Sequence, residues 1–289
     1  MYNLSDTAII KDILGRHGFS FSKSLGQNFL VNPSVCPKMA ELAGLDENTG
    51  VLEIGPGIGV LTSELAKRAK KAVAVELDSR LLPVLGETLS DFDNVEIINA
   101  DVMKIDLSSL IKEKFGDMRV CVCANLPYYI TSPVIMLLLE SRLPIDSITV
   151  MVQKEAAQRL TARVGSRESG AVTVAVDYYS EAVKLFDVSR GSFLPPPNVD
   201  SAVIQLKVRE TPPVSVSDEK LFFAMVKAAF AQRRKTAVNS VSSGLGISKQ
   251  TVAAALQKSG LSVNARAESL SMQELAALCE NIKTETENQ

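Results

Sequence analysis

Residues 51–66 read VLEIGPGIGVLTSELA, and this stretch decides the fold. A short strand pattern comes first, three glycines follow at Gly55, Gly57 and Gly59, and a helical pattern begins directly after them. Glycines let the backbone turn sharply and approach a ligand closely, and the start of a helix presents free N–H groups. A strand, a glycine-rich turn and a helix in this order are typical of the nucleotide-binding edge of an α/β sheet.

The same alternation continues along the chain. Short β-rich segments are predicted as strands at 51–54, 72–76, 95–99, 119–124, 147–153, 172–179 and 201–208. Helical patterns separate the early strands, at 60–69, 79–90, 107–114 and 133–140. Strands joined by helices of this length predict a Rossmann-like, parallel, doubly wound sheet with right-handed crossovers. Because the late strands lack full helices between them, the end of the sheet is expected to turn antiparallel.

The composition of the chain changes after the Thr-Pro-Pro run at 211–213. Helical patterns preceded by Ser or Asp caps follow at 218–231, 235–243, 248–259 and 271–281. The polar residues 284–289 are expected to fray. We therefore predict an α/β domain over residues 1–210, with an N-terminal arm over 1–45, and a small all-helical domain over 211–289.

The chain has 289 residues, with 31 Lys and Arg, 33 Asp and Glu and one histidine. Its mean hydropathy is +0.13. This is the composition of an ordinary globular protein, and it excludes a disordered or collagen-like chain. No apolar run reaches the roughly 18 residues of a membrane helix, and the N-terminus shows no signal-peptide pattern. The sequence thus predicts a cytoplasmic protein with no membrane partner.

Charge is distributed unevenly along the chain. Residues 1–206 hold 20 basic and 25 acidic residues, whereas residues 207–289 hold 11 and 8. The sharpest basic cluster is Arg233, Arg234 and Lys235, and upstream three arginines are spaced four residues apart, which on a helix would place them on one face. These three are Arg159, Arg163 and Arg167. Both a solvated surface and a surface that binds nucleic-acid phosphates fit these patterns.

The cysteines and the single histidine limit the chemistry. Cys121 and Cys123 flank one residue of a predicted strand, so their side chains should lie on the same face. Such a pair can bind a metal, but with His17 as the only histidine no ligand set is completed. We predict buried, reduced thiols and no metal site, and mechanisms that need a pair of histidines are excluded.

Two acidic residues follow the glycine-rich turn at the expected positions. Glu76 ends the second predicted strand, where a carboxylate can accept hydrogen bonds from both ribose hydroxyls of a cofactor. Asp101 follows the third strand and can accept one from the exocyclic amine of a cofactor adenine. The glycine spacing is G-x-G-x-G rather than G-x-G-x-x-G. Together these features predict an adenosine-containing cofactor, and they leave NAD and S-adenosylmethionine open.

The fourth strand runs into NLPYY at residues 125–129. The Asn125 side-chain oxygen and the Leu126 carbonyl can form two acceptors for one substrate –NH₂ group, since Pro127 fixes the backbone beside them. The Tyr128 ring can stack on the base that carries the amine. A dehydrogenase has no use for this arrangement, whereas an amino-group methyltransferase does.

NLPY together with EIGPGIG at 53–59 resembles the S-adenosylmethionine-dependent adenine-N6 methyltransferases. Further motifs are KSLGQNFL at 23–30, SFLPPPNVDS at 192–201 and FAQRRKT at 230–236. With them, the chain from Lys23 to Leu270 closely resembles the bacterial small-subunit ribosomal RNA adenine dimethyltransferases. The resemblance implies a class I methyltransferase fold and S-adenosyl-L-methionine as cofactor. It also implies dimethylation of adenines in small-subunit (16S) rRNA, within the immature small subunit, during ribosome biogenesis.

The motifs and the resemblance together predict three groups of site residues. The catalytic residues are Asn125, Leu126, Pro127, Tyr128 and Phe193. The cofactor-binding residues are Asn28, Leu30, Gly55, Gly57, Glu76, Asp101, Val102 and Asn125. The RNA-binding residues are Arg233, Arg234, Lys235, Arg159 and Arg163.

The chain departs from the family pattern at Ala237 and Val238, where Leu and Arg are common, and at Ala267, where Pro is common. These departures concern RNA contacts rather than chemistry. Two alternative functions stay open beside the main one. The first is a large-subunit rRNA adenine methyltransferase of the antibiotic-resistance type, and the second is a mainly non-catalytic ribosome-assembly binder that retains a cofactor pocket.

Overall fold

A computed structural model of the chain describes residues 2–19 and 28–287. The chain forms two compact units, one of Met1–Ala157 and Glu181–Val208, the other of Gln158–Ser180 and Arg209–Gln289. We call them the sheet unit and the helical unit. The sequence analysis places a single boundary at residue 210, whereas the segment Gln158–Ser180 is grouped with the helical unit. Among the helices described, none is both long and apolar enough to cross a lipid bilayer.

The sheet unit is built on a seven-stranded sheet, accompanied by a separate two-stranded pair of β1 and β8. The strands are β1 (Phe29–Leu30), β2 (Thr49–Ile54), β3 (Lys71–Glu76), β4 (Val95–Asn99), β5 (Arg119–Asn125), β6 (Ser147–Gln153), β7 (Ser180–Val188), β8 (Phe193–Leu194) and β9 (Ser201–Val208). The order in the large sheet is β4-β3-β2-β5-β6-β9-β7. Strands β2 to β6 pair in parallel and β9 runs antiparallel to β6. The predicted doubly wound sheet with an antiparallel end is confirmed.

The helices are α1 (Thr7–Arg16), α2 (Val35–Leu42), α3 (Val60–Ala66), α4 (Leu82–Thr88), α5 (Leu107–Phe115), α6 (Thr131–Glu140), α7 (Lys154–Leu160), α8 (Ala171–Tyr179), α9 (Glu219–Phe230), α10 (Ala237–Leu245), α11 (Lys249–Lys258) and α12 (Met272–Glu287). Parallel strands are buried on both faces and read as apolar runs, and all six residues of β2 are buried. The strand order reverses at β2, which has β3 on one side and β5 on the other. Ligands of open α/β sheets bind outside the carboxyl ends at such a point.

The sequence analysis does not predict the N-terminal helix α1. Its first turn is capped by Asp6, and its apolar residue Ile10 packs in a core cluster that includes Leu85 of α4. At its last residue, Arg16 donates to the Glu87 carboxylate, with Nη2 and Oε1 2.7 Å apart. Apolar packing and this ion pair together attach the N-terminal arm to α4.

The helical unit contains α9 to α12, close to the predicted bounds. The predicted caps at α9 and α11 are present, since Asp218 accepts from the Leu221 N–H and Ser248 from the Thr251 N–H. Helix α12 continues to Glu287, so the predicted fraying is wrong for residues 284–287. The Thr284 hydroxyl donates to the Glu280 carbonyl, and Glu285 pairs with Lys258 of α11, so the last turns are held.

The segment 172–179 is helical, and its prediction as a strand is wrong. Helix α8 follows Gly170, whose N–H donates to the Thr173 hydroxyl at 3.0 Å. Six of its nine residues are buried, so its continuous apolar run reflects a helix that is buried on most sides. Sequence periodicity alone does not distinguish such a helix from a buried strand. The next segment, Ser180–Val188, is a strand that the sequence analysis does not predict; most of its residues are at least partly exposed.

Candidate active site at the carboxyl edge of the sheet

The carboxyl ends of β2, β3, β4 and β5 open into one cavity of about 290 Å³. Because these strands are parallel neighbours, the residues that follow each of them meet at one edge of the sheet. All twelve residues predicted to bind cofactor or carry out catalysis line this cavity. They are Asn28, Leu30, Gly55, Gly57, Glu76, Asp101, Val102, Asn125, Leu126, Pro127, Tyr128 and Phe193.

The glycine-rich turn forms the floor between β2 and α3. Gly55, Gly57 and Gly59 all have positive φ, at 71°, 59° and 87°, a conformation that residues with a side chain rarely adopt. A Cβ atom on Gly57 would lie 3.4 Å from the Phe29 ring. That distance is an ordinary contact, so the turn needs glycine at this position for its backbone conformation rather than for space.

Glu76 holds two parts of the site together. Its side chain is buried; Oε1 accepts from the Asp78 N–H at 2.7 Å, and Oε2 accepts from the Gly57 N–H at 3.3 Å. Burial raises the pKa of the Glu76 carboxyl, and these two N–H donors oppose the increase. Carboxylate oxygens have lone pairs left beyond one bond each, so Glu76 can also accept from two hydroxyls of a ribose.

Asp101 lies at the end of β4 and is oriented by its own turn. Its Oδ1 accepts from the Met103 N–H at 3.0 Å, and its Oδ2 pairs with Lys104 at 3.2 Å. The Met103 N–H and then Lys104 lower the pKa of this carboxyl, so Asp101 is an acceptor at neutral pH. Val102 is buried beside it. An acceptor next to an apolar wall is suited to the edge and face of a purine.

The residues after β5 present acceptors next to an anchored ring. Among the residues described, no hydrogen bond reaches the Asn125 side chain or the Leu126 carbonyl. Pro127 has φ −55° and ψ 134°, which turns the chain into the short 3₁₀ helix that begins at Tyr128. The Tyr128 hydroxyl bonds to Ser201 Oγ at 2.8 Å. Burial raises the pKa of this hydroxyl and the bond to Ser201 opposes the increase.

The two-stranded pair joins the N-terminal arm to the segment that carries Phe193. Phe29 pairs with Leu194, and Leu30 pairs with Phe193, in antiparallel register. The Val31 N–H extends this pairing by donating to the Ser192 carbonyl at 2.8 Å. Leu30 and Phe193 thus reach the cavity together. Residues 23–27 of the KSLGQNFL motif lie outside the described residues.

Glu53, to which the sequence motifs assigned no role, lines the cavity from the carboxyl end of β2. Its side chain is 1% exposed, and within the described chain its Oε2 has no hydrogen-bond partner. Burial raises the pKa of this carboxyl to about 8, opposed by the nearby Thr62 hydroxyl and reinforced by Glu76. An acidic residue inside an apolar strand run was the signal for it. Other unpredicted lining residues are Cys36, Met39, Leu77, Met103 and Tyr129.

Residues 18–284 match the sequence profile of the family described as ribosomal RNA adenine dimethylase. The chain belongs to this family. A relative from Geobacillus thermodenitrificans, ribosomal RNA small subunit methyltransferase A, is 52% identical over 272 residues, or 93% of each chain. The protein of the same name from Streptococcus sanguinis is 45% identical over 98% of this chain and 99% of its own.

Solved structures agree with this ribosomal RNA adenine dimethylase family. The 23S rRNA methyltransferase ErmE is 29% identical, with a TM-score of 0.67 over 89% of this chain and 100% of its own. A dimethyladenosine transferase from Plasmodium falciparum shares the fold at 24% identity, with a TM-score of 0.74 over 89% of this chain and 98% of its own. The class I methyltransferase fold that the resemblance implies is confirmed.

The arginines predicted to bind RNA in this rRNA dimethylase lie in the helical unit. Arg233, Arg234 and Lys235 are exposed in the turn between α9 and α10. The predicted single helical face for the upstream arginines is wrong, because α7 ends at Leu160 and Gly165 has a φ of 86°. The Arg233 guanidinium nevertheless reaches this upstream segment and donates to the Arg167 carbonyl at 2.6 Å.

Arg159 and Arg163 are also exposed. Arg159 lies in the last turn of α7, and Arg163 lies in the irregular segment that follows it. The four cysteines are all buried free thiols. Across residues 2–19 and 28–287, no group of three His, Cys, Asp or Glu side chains is arranged to hold a metal ion.

Proposed function

We propose that this protein uses S-adenosylmethionine to dimethylate the exocyclic amine of adenines in small-subunit rRNA, within the immature subunit and in the cytoplasm. The observation that carries the proposal is the meeting of two sets of groups in one cavity. Acceptors for an adenosine, Glu76 and Asp101, lie at the carboxyl ends of β3 and β4, and acceptors for a substrate amine, Asn125 and Leu126, lie at the carboxyl end of β5, on the other side of β2.

The residues of the cavity fit this cofactor. The turn at Gly55 and Gly57 would let the cofactor approach the backbone closely, and Glu76 would bind its ribose. Glu53 Oε2, which has no partner among residues 2–19 and 28–287, offers an acceptor for a positively charged amino group, because a buried polar atom without a partner is costly. When bound, S-adenosylmethionine supplies a methyl group on a positively charged sulfur, which an amine nitrogen can accept without acid or base catalysis.

The main task of the protein is then alignment, which can contribute many orders of magnitude in rate. In the first transfer the Asn125 oxygen and the Leu126 carbonyl would each accept one proton of the adenine amine. Holding both protons keeps the nitrogen lone pair from delocalising into the ring and directs it into the cavity. The methylated nitrogen would then lose one proton to solvent, and in the second transfer one of the two acceptors would hold the single proton that remains. Pro127 fixes the distance between the two acceptors by restricting the backbone.

An adenine in a folded RNA must leave its stack to reach these acceptors, and the loss of stacking costs a few kcal/mol. Tyr128 would replace that stacking, since its ring is oriented by the bond to Ser201. Phe193, which belongs to the β1–β8 pair, would close the cavity on the side opposite Tyr128. These two aromatics are therefore assigned to holding the target base.

The helical unit is proposed to bind the RNA, and the sheet unit to form the catalytic domain. The exposed cluster of Arg233, Arg234 and Lys235 would contact phosphates, which supply most of the affinity but little sequence information. The Arg233–Arg167 contact fixes the direction of one guanidinium. Arg159 and Arg163 are proposed as additional phosphate contacts on the basis of their exposure and charge.

A large-subunit rRNA substrate is the second candidate, because ErmE is 29% identical over its full length. The relatives named as small-subunit enzymes are 45–52% identical over nearly the whole chain, which favours the small subunit. A non-catalytic assembly factor is disfavoured, since all four residues of NLPY line the cavity.

The test is incubation of the purified protein with methyl-labelled S-adenosylmethionine and either immature small subunits or large subunits, followed by nucleoside analysis. We expect dimethyladenosine in small-subunit RNA, with the Asn125→Ala variant as the background control. Label in large-subunit RNA would support the second candidate, and an unlabelled RNA in both reactions would refute the enzymatic proposal.

A further inference from the structure

The described residues include seven exposed large hydrophobic side chains, and three of them line the cavity. These three are Leu77, Met103 and Tyr129. Tyr129 is the most exposed of the seven, at 57%. Single exposed apolar residues are common on protein surfaces, so the position of each one relative to the groups of the cavity decides what could cover it.

The three residues belong to different ends of the cavity. Leu77 follows Glu76, and Met103 donates its N–H to Asp101, so both lie at the end assigned to the cofactor's adenosine. Tyr129 instead follows Tyr128 in the 3₁₀ helix Tyr128–Ile130, beside the acceptors for the substrate amine. Its ring is therefore placed where the RNA strand would reach the cavity.

Adjacent tyrosines in this turn are held differently. The Tyr128 ring is half-buried and bonded through its hydroxyl to Ser201. Within the described chain, the Tyr129 hydroxyl forms no hydrogen bond, and its ring stacks on no other ring or cation. The backbone beneath it is nevertheless fixed, since the Ile130 N–H donates to the Pro127 carbonyl at 3.1 Å. A tyrosine presented from a fixed backbone loses little conformational entropy on binding.

We propose that Tyr129 stacks on the nucleobase next to the target adenine in the RNA strand. This inference rests on the proposed function, in which the adenine leaves its stack and enters the cavity. Its departure exposes one face of the neighbouring base, and an aromatic ring at the cavity mouth can cover that face. Aromatic side chains commonly bind unstacked RNA bases in this way, with little dependence on base identity.

The experiment compares Tyr129→Ala and Tyr129→Phe with wild type in steady-state methyl transfer to immature small subunits. Val183→Ala is the matched control, because Val183 is 50% exposed but does not line the cavity. Removal of one base–aromatic stack should raise KM for the subunit about tenfold for Tyr129→Ala. We expect kcat to stay within about twofold, since Tyr129 supplies no acceptor for the amine, and Tyr129→Phe and Val183→Ala to keep the wild-type KM.

Calorimetric binding of S-adenosylhomocysteine separates this role from contact with the cofactor. Unchanged affinity in Tyr129→Ala is expected. A wild-type KM in Tyr129→Ala, an equal rise in the Val183→Ala control, or a matching loss of S-adenosylhomocysteine affinity would overturn the stacking assignment. Failure of the wild-type protein to methylate small subunits would instead overturn the proposed function, together with this inference.

Discussion

The Glu53 carboxyl lies near the carboxyl end of β2 with one oxygen unpartnered among the residues described, and Glu53→Gln tests what its burial does to stability. Glutamine has nearly the same shape but does not titrate. Burial raises the pKa of Glu53 from 4.5 to about 8 in the folded protein. Between these values the folded chain retains a proton that the unfolded chain has lost, so unfolding releases a proton and rising pH favours unfolding.

The stabilising effect of the protonated carboxyl is therefore fully present below about pH 4.5 and is lost as pH rises through about 8. Each pH unit in this window corresponds to about 1.4 kcal/mol. Between pH 5 and pH 8 the wild type should lose about 4 kcal/mol relative to Glu53→Gln. Above pH 8 the difference between the two proteins should level off.

The assay is urea unfolding of the ligand-free proteins at intervals from pH 5 to pH 9, with the free energy of unfolding taken at each pH. Glu47→Gln is the control, since Glu47 is exposed just before the same strand. The pH dependence that Glu53→Gln and this control have in common is subtracted as the background of one Glu-to-Gln change. A constant difference between wild type and Glu53→Gln over the whole range would refute the raised pKa.

Four further variants test the proposed roles. Glu76→Ala should weaken S-adenosylhomocysteine binding in calorimetry by a few kcal/mol, because each charge-assisted bond to a ribose hydroxyl contributes roughly 1.5–3 kcal/mol; unchanged affinity would remove the ribose assignment. Asn125→Ala should slow single-turnover methyl transfer on the order of 10²–10³-fold, with much smaller changes in cofactor and subunit affinity. A near-wild-type rate would mean that Asn125 only shapes the turn and has no part in catalysis. Arg233→Ala and Arg234→Ala should each reduce the slope of log affinity for RNA against log salt by about one unit. An unchanged slope would mean that these arginines are solvated surface charges that do not contact the RNA.

Much of the fold could be predicted because the central strands are buried on both faces. The residues of β2 and β5 read as apolar runs next to glycine or NLPY, and the parallel pairing then brings Glu76 and Asn125 to the same edge. Chain order and strand direction thus suffice to predict that these side chains meet, without any knowledge of the packing.

The rest depends on tertiary contacts that local patterns do not contain. Helix α8 is apolar because it is buried, and its β-branched residues imitate a strand. The strands β1 and β8 have two residues each, which is too few to show the alternating pattern of a strand. Only their pairing places Phe193 beside Leu30. The end of α7 separates Arg159 from Arg163 although their spacing is helical. Glu53 stands out in the sequence as an acidic residue in an apolar strand run, but what it can do in the site depends on its burial, which the sequence does not give.

Under the proposed roles, the pairing of Leu30 with Phe193 would link the two ends of the cavity thermodynamically. One side of this pair is assigned to the cofactor and the other to the target base, so a shift of either strand moves groups at both ends. Linkage requires that the coupling be reciprocal: the factor by which S-adenosylhomocysteine changes the affinity for the RNA must equal the factor by which the RNA changes the affinity for S-adenosylhomocysteine. A two-residue strand can in this way make loading of the methyl donor and capture of the adenine a single cooperative event.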